Sequence, residues 1–301
     1  MLVLVRWLAA RSLRFLHALG GVMGWAAYAG SGPYRQRLKT HAALAGVSAA
    51  ERIRSVADAG RLMFELPRLW LRPRELPIGD PLRWEGAALL ERLLTQGKGL
   101  VLLTPHMGSF EVSAQAYAER FGQRQPITVL YRPARQAWLR QLEETARGRP
   151  ALHTAPATLA GVRLMLRALK RGETVGLLPD QVPPDGMGVW VPFFGRPAYT
   201  MTLAARLAQQ TGAAVAVLWT ERLPKGAGYV VRAQALPEPL PDKAAGEEAA
   251  AAAINRAMEA VILQKPSQYL WAYNRYKQPR PADVPAFVDD KGAERSKTAS
   301  P

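Results

Sequence analysis

Cysteine is absent from all 301 residues. Disulfides, thiolate nucleophiles and cysteine-type zinc sites are therefore excluded together, which fits a cytoplasmic setting. Acidic residues are missing from the start of the chain: the first is Glu51, while Arg6, Arg11, Arg14, Arg35, Arg37 and Lys39 all precede it. No Walker A spelling occurs, which argues against ATP use, and no G-x-S-x-G elbow marks a serine nucleophile. The apolar run Ala18–Ala29 is shorter than the ~20 residues of a full membrane span. Nothing has the pattern of a DNA-reading helix, a zinc finger or an aromatic RNA-binding strand, so no nucleic-acid partner is expected.

What the chain has in excess is positive charge: 40 Lys plus Arg against 24 Asp plus Glu, a net +16. A surplus of this size calls for an anionic partner, a membrane surface or an acidic substrate. On a helix, Arg6, His17, Arg14 and Arg11 fall in one sector about 140° wide, with Leu, Val, Trp, Ala and Phe around the rest. That is the pattern of a basic amphipathic helix at a membrane interface. The apolar run behind it contains Trp25 and Tyr28, residues suited to an interfacial belt. Residues 1–40 are therefore expected to form an uncleaved N-terminal membrane anchor, either tilted across the bilayer or lying in its plane. The Gly20/Gly24 spacing carries little weight in so Gly- and Ala-rich a segment.

Residues 41–75 read as helices, with Ser48 and Glu51 spelling a capping box and Pro67 and Pro73 breaking the region. From residue 97 strands and helices alternate. Strands are expected at Leu100–Thr104, Ile127–Tyr131, Ala151–His153, Thr174–Leu178, Ala213–Thr220 and Tyr229–Ala233, the last antiparallel. Helices are expected at 110–121, Arg135–Arg147, Leu159–Arg171, Thr202–Gln210 and Glu247–Gln264. The alternation predicts an α/β domain over 41–278, a mostly parallel mixed sheet with helices on both faces. Asp185-Gly186 suggests a hairpin turn within a Pro- and Gly-rich loop, and 279–301 read as a disordered tail.

The stretch Gly99 to Glu111 organises this pattern. A buried strand stops at Thr104-Pro105, His106 follows at its carboxyl end, and Ser109 can cap a helix whose first turn contains Glu111. The crevice outside strand ends is where α/β sheets usually carry their chemistry. A histidine backed by a carboxylate is a general-base pair. Positions five apart diverge by about 140° on a helix, so a His106–Glu111 contact needs the bend that Gly108 permits. With no cysteine and no serine elbow, the nucleophile is most simply a substrate hydroxyl.

Five blocks in order carry a family resemblance: Gly97 to Glu111, Tyr131-Arg-Pro133, Leu177-Leu-Pro-Asp180-Gln181, Val191 to Thr200, and Gln268 to Lys277. Together they resemble the lysophospholipid-acyltransferase superfamily with its H-x4-(D/E) motif. More narrowly, they resemble the bacterial lauroyl and myristoyl acyltransferases of lipid A biosynthesis, over roughly residues 1–278. The chain departs from that pattern at Ser109-Phe110, where members usually have Asn-Trp, and at Tyr273-Asn274, where they usually have His-Arg.

The resemblance implies a glycerolipid-acyltransferase-like fold and an enzyme without cofactor or metal. His106 would be its general base and Glu111 the partner of that base. Arg132, Arg149, Asp180 and Gln181 would bind substrate. The implied reaction moves an acyl group from a thioester of acyl carrier protein or coenzyme A to a hydroxyl of a lipid A precursor. Backbone N–H groups near Gly108, or Arg149, would hold the oxyanion. The implied location is the cytoplasmic face of the bacterial inner membrane. Two alternatives stay open at this point: another glycolipid or ornithine-type acceptor, and an inactive basic membrane-surface binding protein.

Overall fold

Leu100-Val-Leu-Leu103 is apolar at every position, and the computed structural model makes it the central strand of a seven-stranded sheet. Residues 2–131 and 148–279 are described. The helix expected at Arg135–Arg147, the candidate Arg132 and nearly all of the expected tail lie outside them.

Four helices come first: α1 (Leu2–Ala9), α2 (Leu13–Gly30), α3 (Gly32–Leu44) and α4 (Ala49–Trp70). The α/β part follows as β1 (Leu82–Glu85), α5 (Ala87–Leu94), β2 (Leu100–Leu103), α6 (Phe110–Phe121), β3 (Ile127–Tyr131) and β4 (Leu152–Pro156). It continues through α7 (Leu159–Lys170), β5 (Thr174–Leu177), β6 (Gly188–Phe193), β7 (Arg196–Met201) and α8 (Leu203–Thr211). The last elements are β8 (Ala214–Arg222), β9 (Tyr229–Ala235) and α9 (Gly246–Ile262). The sheet order is β1-β9-β8-β2-β5-β3-β4. Only β8 against β9 is antiparallel, so the sheet is mixed and mostly parallel, as expected.

The reason β2 shows no alternation is that both of its faces are covered. Val101 and Leu103 join a core with α7, α8 and α9, while Leu100 and Leu102 join another with α4, α5 and α6. The hairpin β6–β7 was expected as a loop. It turns at Phe194-Gly195 rather than at Asp185-Gly186, and Asn255 of α9 holds it through Pro192 O (2.7 Å) and Thr200 Oγ1 (3.0 Å).

The N-terminal region differs most from expectation. No helix among the described residues is long and apolar enough to cross a membrane. The basic helix breaks at Ala10-Arg11, and Ser12 restarts it by accepting from Phe15 N. His17 does not share the solvent-facing sector of Arg6 and Arg14. It is buried, with Nε2 3.0 Å from Glu65 Oε2. Helix α2 packs on α4 through glycines whose spacing had seemed uninformative. A Cβ on Gly24 would stand 2.3 Å from Val56 O, and one on Gly60 would stand 2.0 Å from Gly20 O. Pro67 lies inside α4 rather than breaking it. It falls in the last turn, so the chain still leaves the helix soon after it.

Candidate active site

His106 and Asp180 meet because of strand register. Strands β2 and β5 are parallel neighbours with Leu103 opposite Leu177, and each residue lies three positions past its strand. Thr104 N continues the ladder by donating to Leu177 O (3.0 Å). The two loops then converge. His106 Nδ1 lies 2.7 Å from Asp180 Oδ1, and His106 N donates to Asp180 Oδ2 at 2.9 Å. One carboxylate thus fixes both the backbone and the ring of the histidine.

Asp180 is fully enclosed, whereas the imidazole keeps 18% of its surface exposed. Burial alone would push the Asp180 carboxyl up. The charge and hydrogen bonds of His106, with Arg275 nearby, nevertheless hold it below its ordinary value. Burial, with the Asp180 carboxylate nearby, pushes the Tyr269 phenol well above its usual range. Arg275 is locked by Tyr199 O (2.6 Å) and Thr200 Oγ1 (2.7 Å). With Nδ1–H donating to Asp180, the free lone pair of the ring falls on Nε2, the arrangement a general base requires.

The loop between His106 and α6 is held from behind. Gly108 has φ +55, and a Cβ there would stand 1.9 Å from Thr220 O, so only glycine fits the turn. Gly108 N donates to Gln268 O, Ser109 N to Thr220 O, and Leu270 N to His106 O. The Gly108 carbonyl accepts from Arg222 Nη2 (2.8 Å), and Arg222 is paired with Glu65 through two 2.9 Å bonds. Burial would raise the Glu65 carboxyl, but Arg222 and His17 bring it down to about 2. Helices α2 and α4 are thereby tied to the loop that carries His106. Sequence reasoning missed Glu65, Arg222, Tyr269 and Arg275 as supports, since buried charges betray themselves only once their neighbours are known.

Asp180, expected to bind substrate, is the carboxylate at His106 Nδ1. Glu111 stands half-buried in the first turn of α6. Gln181 lines a cavity of about 240 Å3 beside the pair, with Tyr34, Leu38, Tyr269, Trp271 and Tyr273 among its walls. Arg149 donates to Leu69 O (2.8 Å), Arg72 O (3.1 Å) and Pro73 O (3.2 Å), and so closes the carboxyl end of α4. The expected oxyanion donors near Gly108 are corrected: the N–H groups of residues 106 to 109 all have protein acceptors. Ser109 is wholly buried at the N-cap of α6, and its hydroxyl meets no protein partner. No group of three metal-ligating side chains occurs among the described residues.

The profile of the bacterial lipid A biosynthesis acyltransferases matches residues 1–278. The lipid A biosynthesis lauroyltransferase of Escherichia coli is 30% identical over 210 residues, covering 68% of this chain and 65% of that protein. The palmitoleoyltransferase of the same organism is 28% identical over 235 residues, covering 76% and 74%. A lipid A biosynthesis acyltransferase of Haemophilus influenzae is 28% identical over 196 residues, covering 64% and 60%.

Proposed function

Because the chain belongs to the bacterial lipid A biosynthesis acyltransferase family, we propose that it transfers a fatty acyl group from a thioester to a hydroxyl of a lipid A precursor. The observation that carries this reading is the His106–Asp180 pair at the ends of adjacent central strands. His106 Nε2 takes the proton of the acceptor hydroxyl, and the resulting oxygen attacks the thioester carbonyl. The tetrahedral oxyanion collapses, the C–S bond breaks, and the imidazolium returns its proton to the departing thiolate. Asp180 holds the tautomer and balances the imidazolium charge. Glu111 enters as the second carboxylate of the motif, at the start of α6. The positive N-terminal end of α6 would face the oxyanion.

The donor is acyl carrier protein or coenzyme A, both anionic, and the basic surplus suits either. The apolar and aromatic cavity beside Gln181 would take part of an acyl chain. The relatives' names, lauroyl and palmitoleoyl, support a saturated or monounsaturated fatty acyl group. Arg132 remains a substrate-binding proposal on its motif alone.

The enzyme works at the cytoplasmic face of the bacterial inner membrane, docked in the interface rather than threaded through it. Support comes from the exposed side chains of Val3, Leu4, Trp7 and Phe15 beside exposed Arg6 and Arg14, with Val22 and Trp25 further along α2.

The experiment incubates the full-length protein with a lauroyl thioester of acyl carrier protein or of coenzyme A and a lipid A precursor, followed by mass spectrometry of the lipid. A gain of one acyl mass is expected. Thioester turnover with no acylated lipid of this class would contradict the acceptor.

A further inference from the structure

A second cavity, of about 510 Å3, opens where α1 meets the carboxyl end of α4 and the segment 71–80. Its size is within the range of small-molecule sites. His106, Asp180 and Gln181 are not among its lining residues, so it is separate from the acyl-transfer centre. We propose that this cavity binds one anionic phospholipid drawn from the bilayer, with a fatty chain inside and the phosphate at its arginines. The source of the ligand rests on the interfacial docking proposed above.

The walls decide the chain. Leu69, Leu71, Leu76 and Ile78 present apolar surface, and a fatty chain gains by leaving water for such a lining. The charges decide the headgroup. Arg6, Arg68 and Arg72 line the cavity against the single carboxylate of Asp80. That carboxylate is already taken up by Arg68, through bonds of 2.8 and 3.1 Å.

Arg72 donates to Gln115 Oε1 (2.7 Å) and pairs through Nη1 with Glu119 Oε1 (3.1 Å), while its buried Nε has no hydrogen-bond acceptor. Arg6, exposed on α1, forms no ion pair with any described residue. A buried guanidinium donor left without an acceptor is costly, and the exposed, unpaired Arg6 adds a second positive charge at the mouth. A phosphate matches them in charge and in fork geometry.

Arg149 strengthens the positive field from behind, because its donated bonds end on the carbonyls of Leu69 and Arg72 in the cavity wall. Burial and the neighbouring charges of Arg72 and Arg74 push its guanidinium down to about 10. Position decides the source. The helix that supplies Arg6 also exposes Val3, Leu4 and Trp7, so the helix at the cavity mouth is one proposed to touch lipid.

The test is native mass spectrometry of the full-length protein from neutral-detergent micelles doped with phosphatidylglycerol and phosphatidylcholine. The proposal expects one retained phosphatidylglycerol per chain, in preference to phosphatidylcholine. Arg6→Gln should weaken retention by about tenfold. Ile78→Trp, which narrows the cavity, and Leu76→Glu, which puts an anion on an exposed rim residue, should sharply reduce it. Should Ile78→Trp fail to fold, the exposed Leu76→Glu carries the test.

Equal retention of the two lipids would overturn the proposal, as would retention unchanged in Arg6→Gln and Leu76→Glu. Co-sedimentation with phosphatidylglycerol vesicles separates this idea from interfacial docking. Sedimentation of wild type without any retained lipid overturns the cavity site alone. Selective retention without sedimentation supports the cavity site and overturns the docking.

Discussion

Asp180 grips His106 twice, at the ring nitrogen Nδ1 (2.7 Å) and at the backbone N (2.9 Å), across 74 positions of sequence. A carboxylate used this way cannot swing aside, so the ring keeps one tautomer and one direction. The nearby Tyr269 phenol and Arg275 share out the negative charge that the imidazole feels. Orientation and charge are therefore set together by groups from the turn after β5 and from residues 269–275.

Tyr269→Phe removes the phenol hydroxyl near Asp180 and preserves the ring. Turnover is expected to fall about tenfold, the scale of a lost hydrogen bond to a charged group, with KM for the thioester unchanged. Steady-state kinetics on folded protein checks this. Wild-type turnover would show that the phenol merely packs.

Glu65→Gln leaves Arg222 buried without its counter-charge, so a loss of about 3–5 kcal/mol is expected in urea unfolding. The pH dependence follows from the sign of the shift. The Glu65 carboxyl lies at about 2 in the folded protein against an ordinary 4.5. Its contribution is complete above the ordinary value and is lost as pH falls toward about 2. Stability of wild type should drop through that window, and the drop should be shallower in Glu65→Gln. Equal slopes would contradict the assignment.

Arg149→Ala should lower stability by about 1–3 kcal/mol, because three carbonyls at the end of α4 lose a buried donor. Thermal unfolding and turnover at a permissive temperature are to be measured together. Lost turnover at unchanged stability would return Arg149 to a direct role with substrate.

Gly60→Ala is expected to cost about 1–3 kcal/mol through overpacking, since the new Cβ meets the Gly20 backbone. Limited proteolysis within α1 and α2 should speed up as they loosen from α4. An unchanged digestion pattern would contradict the close packing.

Much of the fold was legible because β2, β5 and β8 are short apolar runs separated by well-marked helices. The strand β1 and the helix Ala87–Leu94 were not read, being brief and bordered by weak turn signals. The place of the histidine after a strand was legible, whereas Asp180 as the carboxylate at its Nδ1 was not. Asp180 is far along the chain, and only the register of Leu103 against Leu177 makes it a neighbour of His106. The amphipathic reading of residues 2–17 failed at His17. A protein surface, not solvent, faces that side of α2, and Glu65 supplies the counter-charge that makes burial tolerable.

The central claim is that His106 is a general base oriented by Asp180, and the most direct test compares Asp180→Asn with His106→Ala and Glu111→Gln. Acyl transfer from a defined thioester to a lipid A precursor is measured on each folded variant. His106→Ala should lose ~10²–10⁴-fold in rate, the usual contribution of a positioned base. Asp180→Asn should lose a comparable factor, because an amide favours the wrong tautomer and cannot balance the imidazolium. Glu111→Gln, if that carboxylate only sits in a helix's first turn, should cost no more than the ~0.3–1 kcal/mol of a dipole interaction. A wild-type rate in Asp180→Asn, or substantial transfer by His106→Ala, would contradict the account.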